Sequence, residues 1–253
     1  MKNIFSSWIV VPLLILIFFV DDSISWGSSN DFIVHQKISL TQKSDGFDGV
    51  LEILRDSRVT DSDIKLMQMH DPDLDLSKKS KFKSTPLKSA VVRLASRNGQ
   101  VIQSLNLENP YASLESITTV EPGKRTLLLT EDFGIGMGSY SGPITRILAI
   151  TSRSIKWATA KNQKTGEEIQ ISLMRSLKTA WNFAPSVNGS GKDILKVSCR
   201  PDEAVTKFIT TFSRYHRDKH GWTFATRTEN LMWEADDSDQ GLGYSLPEFK
   251  MFP

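Results

Sequence analysis

Short β-forming runs, broken by turn-forming residues roughly every 8 to 12 positions, constrain this chain's fold more than any other feature. Residues 90–95 and 101–107 flank Asn98-Gly99. That pair between β-rich runs predicts a hairpin closed by a type I′ turn, which needs positive φ at both central residues. Residues 114–120 form the next candidate strand and end at Glu121-Pro122-Gly123-Lys124. Residues 127–130 follow, and 144–150 with 155–160 predict a second hairpin across 151–154. Ile169, Ile171 and Leu173 alternate with Gln170 and Ser172, which places the three apolar residues on one face. Residues 177–183 fit a strand or one helical turn. Residues 194–199, 206–215 and 222–228 read as strands joined by Arg200-Pro201-Asp202 and by residues 218–221. Sustained helical periodicity is missing after the first 25 residues. The expected fold is all-β, an antiparallel meander forming a sandwich, a barrel or a partial propeller-like domain.

The first half is less regular. Residues 26–45 read as a flexible entry with one apolar patch, Phe32-Ile33-Val34, and Gly46-Phe47-Asp48-Gly49 reads as a turn. Residues 50–54 fit a short strand or a helical turn, 64–69 alternate only loosely, and the charged stretch 71–88 with Pro72 and Pro86 reads as a linker. The expected organisation is a signal peptide over 1–25 and an N-terminal region with short β elements and a charged linker over 26–89. A β-rich domain follows over 90–230, with an aromatic C-terminal tail packed on it over 231–253.

The first 25 residues point to export. Lys2 precedes an apolar run over 8–20, and Ser23-Ile24-Ser25 supplies small residues ahead of Trp26. Asp21-Asp22 ends the apolar run early for a spanning helix, and the alternative to a cleaved signal is an uncleaved N-terminal anchor. The expected location is the periplasm or the extracellular space, with no membrane span after cleavage. Cys199 is the one cysteine, so no intrachain disulfide framework exists. It reads as a small buried side chain in a strand.

A net charge of +2 argues against a nucleic-acid binder, which would gather Lys and Arg on one face. The basic run Lys78-Lys79-Ser80-Lys81-Phe82-Lys83 directly follows the acidic Asp71-Pro72-Asp73-Leu74-Asp75, and the two read together as a solvated loop.

The most residue-specific passage lies between the strands at 127–130 and 144–150. It carries Gly134, Gly136, Gly138, Ser139, Tyr140, Ser141 and Gly142, then Pro143. The glycine spacing is not that of a dinucleotide-binding or P-loop fingerprint, and the segment after it is β-forming rather than helical. Tyr140 stands where a nucleophile elbow would place serine. Two readings remain: a wide structural loop, or a contact tip in which Tyr140 offers large area and the flanking Ser and Gly adapt to a partner. The Gly138-Ser139-Tyr140-Ser141 tip resembles the loop that periplasmic lysozyme inhibitors insert into their target, which implies an inhibitor-like binding role. With Glu131 and Asp132 ahead of it, the same segment resembles one blade of the integrin-like repeat proteins, although no second copy recurs at a fixed spacing.

Other constellations are sparser. Asp71, Asp73 and Asp75 alternate as in a calcium loop, but Leu76 and Phe82 occupy the positions that need glycine and glutamate. His216 and His220 flank a predicted turn, and His35 and His70 lie far from them in sequence. Neither a metal nor a cofactor is expected. Glu131, Asp132 and Glu234 are the candidate carboxylates for acid–base chemistry. Arg175, Lys178, Arg200 and Arg214 are candidate anion ligands or partners for those acids. Trp157, Trp181, Phe208, Phe212, Trp222 and Phe224 read as core. The expected function is an exported, non-enzymatic binding protein that contacts another envelope or extracellular protein, or a glycan, through the Ser-Tyr-Ser loop. The alternatives are a hydrolase of envelope or extracellular polymer using the carboxylates above, with its catalytic residues otherwise unknown, and a structural envelope component.

Overall fold

The computed structural model describes residues 31–42, 47–63, 87–121, 124–131, 140, 142–151, 153–186 and 191–235. Residues 1–30, which include the expected signal peptide, residues 64–86 with their acidic and basic runs, Asp132, Gly134, Gly136, Gly138, Ser139, Ser141 and the tail beyond Ala235 lie outside the described residues.

Among the described residues, fifteen strands form three sheets. The first holds β1 (Phe32–Gln42), β2 (Phe47–Asp56), β3 (Val91–Ser96) and β4 (Val101–Asn106), in that order. The second runs β11 (Ser172–Met174), β7 (Ile144–Ile150), β6 (Lys124–Glu131), β5 (Ala112–Glu121), with β8 (Ile155–Trp157) also paired to β7. The third runs β10 (Glu168–Gln170), β9 (Thr159–Asn162), β15 (Gly221–Glu229), β14 (Phe208–Asp218), β13 (Lys192–Pro201), β12 (Thr179–Pro185). Among the described strands all pairings are antiparallel except β9 with β15, and the sheets are not closed into a barrel. The fold is a layered β-sandwich. β2 and β3 bond directly, so the first sheet joins strands on both sides of residue 89.

The second sheet is the middle layer because both of its faces are apolar. Leu127 and Leu129 of β6 enter a core with Leu51, Ile53, Val92 and Leu94 of the first sheet. Leu128, between them, enters a second core with Ile194, Tyr215, Trp222 and Phe224 of the third. β7 repeats the pattern, with Leu148 in the first core and Ile147 in the second. Side chains alternate across a strand, so consecutive leucines reach opposite layers. Burying each fully stabilises the fold by about 1.5–3 kcal/mol.

Two strands change sheets midway. The run predicted at 155–160 breaks at Ala158, whose N–H donates to Ile147 O at 2.8 Å; the chain then leaves the middle sheet to become β9. It turns over residues 163–166 and returns as β10. At Ile171, whose N–H donates to Ala158 O at 3.0 Å, it re-enters the middle sheet as β11. Ile169, Ile171 and Leu173 do share a face, and all three pack in the second core.

Three local expectations are corrected. Residues 32–42 are an edge strand rather than a flexible entry; Ile38 and Leu40 pack on the first core while Lys37 and Ser39 face out. Phe47, Asp48 and Gly49 open β2 rather than forming a turn. The 90–107 hairpin forms, but its turn is not type I′. Gly99 has φ +86° and its N–H bonds Ser96 O at 2.9 Å, whereas among described residues Val205 is the one non-glycine at positive φ. The Ser96 N–H in turn bonds Gln100 O at 2.9 Å, so this is a three-residue loop with a glycine bulge, and a separate register shift lies at Leu94/Ala95. Asn98 serves through its side chain, whose Oδ1 accepts from Gln100 N at 3.3 Å.

Residues 231–235 lie against the outer face of the third sheet. Trp233 packs on Ala180, Val197 and Phe212, Leu231 O accepts from Thr210 Oγ1 at 2.8 Å, and Ala235 N donates to Leu177 O at 2.8 Å. Trp181, Phe212, Trp222 and Phe224 are buried as expected; Trp157 is partly buried on the first core, and Phe208 is half-buried.

Candidate functional site

The glycine-rich segment leaves the middle sheet at the end of β6 and returns at the start of β7. Tyr140 is 46% exposed. Two residues later the chain is clamped: a Cβ on Gly142 would stand 1.7 Å from the Arg175 carbonyl oxygen, so no other residue fits there without movement. The Arg175 N–H bonds Pro143 O at 3.1 Å. The Arg175 guanidinium stacks over the Trp181 ring at 4.7 Å, and Leu177 beside it is 48% exposed. One segment, 175–177, therefore locks the returning limb of the loop and sets an arginine, a tryptophan and an exposed leucine near its root. Gly142 and Tyr140 are the two expected loop residues that fall within the described structure.

Where β6 ends lies a buried ion pair. Glu131, 1% exposed, ends β6 and is bonded to the Arg146 guanidinium of β7. Its other oxygen accepts from Glu108 N at 2.9 Å, Asn109 N at 3.3 Å and Asn109 Nδ2 at 3.4 Å. Arg146 also reaches Glu108 at 3.3 Å and lies 5.5 Å from the Trp157 ring centroid. Both carboxylate oxygens are thus spent on main-chain, amide and guanidinium donors, tying three segments together at the end of β6. This is a framework role. Glu234 is bonded to Lys178, a buried lysine whose ammonium lies over the Phe208 ring at 5.0 Å. Of the four candidate cations, Lys178 and Arg214 meet carboxylates, Glu234 and Asp193 respectively.

Asp193, Arg214, His216 and Ser186 form a cluster on the third sheet. Asp193 is fully buried; Arg214 Nε donates to it at 2.6 Å and His216 Nδ1 lies 2.8 Å from its other oxygen. Ser186 Oγ is 3.3 Å from that same Nδ1. A serine–histidine–aspartate relay needs the hydroxyl and the carboxylate on opposite ring nitrogens. Here both converge on one, so the cluster is not a relay. Nothing in the sequence marked Asp193, since a carboxylate gains meaning only once the register sets its partners.

Among the described residues no group of three or more His, Cys, Asp and Glu could hold a metal ion. Cys199 is 2% exposed, and its sulfur accepts from Trp233 N at 3.4 Å. No described helix is long and apolar enough to cross a membrane. The chain matches no protein-family model, no curated protein and no solved structure.

Proposed function

We propose that this chain is an exported, non-enzymatic binding protein of the periplasm or extracellular space, which contacts a partner through the loop that carries Tyr140. One observation carries the reading. Tyr140 is held out to solvent two residues before a glycine that the Arg175 backbone clamps. A rigidly rooted, exposed tyrosine next to an arginine stacked on tryptophan is the composition of an interface hot spot. The resemblance of the tip to inhibitor loops points the same way.

Capture from envelope or culture extract by the immobilised protein, beside its Tyr140→Ala variant, tests this. The variant should weaken binding by about 1–3 kcal/mol with its melting temperature nearly unchanged. Equal capture by both proteins would reduce the loop to scaffold.

A further inference from the structure

Several buried and half-buried cations among the described residues lie against carboxylates: Arg55 on Asp61, Arg93 on Glu52, Arg146 on Glu131, Lys178 on Glu234 and Arg214 on Asp193. Lys196 of β13 does not. It is half-buried, its ammonium donates to the Ser172 carbonyl at 2.8 Å, and among the described residues no carboxylate lies within ion-pair distance. Burial, and then the like charge of Arg200, push its pKa below the usual lysine value.

The surroundings of Lys196 supply donors. Trp181 is its direct partner across β12 and β13, so the two side chains share a face. The Trp181 indole N–H is buried with no acceptor. Arg175 stacks on the same indole, and Arg200 lies on the Lys196 face, four residues along the strand. The peptide carbonyl that accepts the Lys196 hydrogen bond belongs to Ser172, three residues before Arg175, the residue that clamps the Tyr140 loop. An ammonium stripped of part of its water, with one carbonyl acceptor and otherwise donors around it, is short of one thing: an anion. Charge-assisted bonds to a carboxylate are the strong ones.

We propose that the loop's partner is a protein that lays an extended acidic segment here, one of whose carboxylates becomes the countercharge of Lys196 beside Arg175. The inference rests on the reading of the Tyr140 loop as a contact surface. A polypeptide fits better than a charged sugar because Tyr140 and Leu177, both nearly half exposed, call for apolar side chains alternating with the acids.

The test uses calorimetry with a short synthetic peptide alternating glutamate and leucine, its glutamine counterpart, and polygalacturonate. The proteins are wild type, Lys196→Met, Lys196→Gln and, as a control on the exposed β14–β15 turn, Lys219→Met. The glutamate peptide should bind wild type and Lys219→Met alike, and should bind both Lys196 variants about tenfold more weakly or worse. The glutamine peptide should bind weakly to all. Lys196→Met is expected to fold, since an apolar side chain removes a desolvation cost. Undiminished binding by the Lys196 variants, no binding by wild type, equal binding of the glutamine peptide, or tighter binding of polygalacturonate would each overturn the proposal. The same variants separate this inference from the reading beneath it. Partner capture lost in Tyr140→Ala but kept in Lys196→Met would leave the loop reading standing and sink this one; capture kept in both would sink the two together.

Discussion

The side-chain amide of Gln36 makes the two hydrogen bonds to Leu114 that a neighbouring strand would make: its Nε2 donates to the Leu114 carbonyl, and its Oε1 accepts the Leu114 N–H at 2.7 Å. Leu114 is on β5, the edge of the middle sheet, and Gln36 follows a register shift in β1, the edge of the first. On the other margin Gln103 of β4 accepts the N–H of Ile155 in β8 at 2.6 Å. The first sheet thus closes over both margins of the middle one with glutamine amides, satisfying main-chain groups that would otherwise be open to another chain.

Removing the Gln36 amide should leave two main-chain groups of Leu114 without partners. Gln36→Ala is expected to cost about 1–3 kcal/mol in a denaturant titration with an unchanged slope. The Leu114 amide should exchange with solvent faster than its neighbours in β5. Unaltered exchange at Leu114 would show that the pairing contributes nothing.

The buried Glu131–Arg146 pair makes the opposite case to an exposed ion pair. Glu131→Gln leaves the buried Arg146 guanidinium with only the exposed Glu108 carboxylate, at 3.3 Å, as charge partner, and breaking a buried pair in this way costs up to about 3–5 kcal/mol, a large share of a typical domain's stability. The double variant Glu131→Leu, Arg146→Met should recover much of that, because two apolar side chains carry no desolvation cost. Equilibrium unfolding of the three proteins checks the ordering. A single variant as stable as wild type would show that the carboxylate has no framework role.

Legibility from the sequence varied with how local each signal is. The all-β class, the 90–107 hairpin and the shared face of Ile169, Ile171 and Leu173 follow from period-two patterning and turn residues, which act over a few positions. β1 was legible in principle: Gln36, Ile38 and Leu40 alternate with Lys37 and Ser39, but the inward glutamine reads as a break in an apolar pattern. The run Leu127-Leu128-Leu129 carried the sign of a strand buried on both faces, and with it the layered architecture. The sheet changes at Ala158 and Ile171 carry no local mark, because an apolar residue at a corner looks like one inside a strand. The site divides similarly. Gly142 was named from composition, yet its reason is a backbone 33 positions away at Arg175. Lys196 stands out only once the register shows which cations have acids beside them.

Gly142 and Gly99 should respond differently to alanine. Gly142→Ala sets a methyl 1.7 Å from the Arg175 carbonyl, so the loop root or residue 175 must move. Overpacking of this kind costs about 1–3 kcal/mol, and partner capture should fall with it although Gly142 need touch no partner. Gly99→Ala meets no atom within 4 Å but must adopt φ +86°, a conformational cost of roughly 1–2 kcal/mol, and capture should be untouched. Melting curves and capture assays on both variants give the comparison; loss of capture in Gly99→Ala as well would remove the special role of the Arg175 clamp.

Acid should loosen the end of β2 through Asp56. Arg58 grips both oxygens of this carboxylate, from its Nε at 2.9 Å and a terminal nitrogen at 2.5 Å, and the Lys88 N–H adds a bond at 2.9 Å. The Arg58 hydrogen bonds, helped by that main-chain donor and opposed by burial, lower the Asp56 pKa from 3.8 to about 2. A lowered folded pKa means that the unfolded chain takes up the proton first as pH falls. The stabilisation is therefore complete above pH 3.8 and is lost on acidification toward about 2. Asp56→Asn should be less stable than wild type at neutral pH, and its stability should fall less across that acid window. The difference between the two proteins isolates Asp56 from the other carboxylates, which titrate in both. Unfolding titrations at neutral pH and through the window, with a carboxyl titration followed by NMR, measure each part. Parallel curves for wild type and Asp56→Asn, or a carboxyl that titrates at its ordinary value, would show that Arg58 and Lys88 do not hold this strand end.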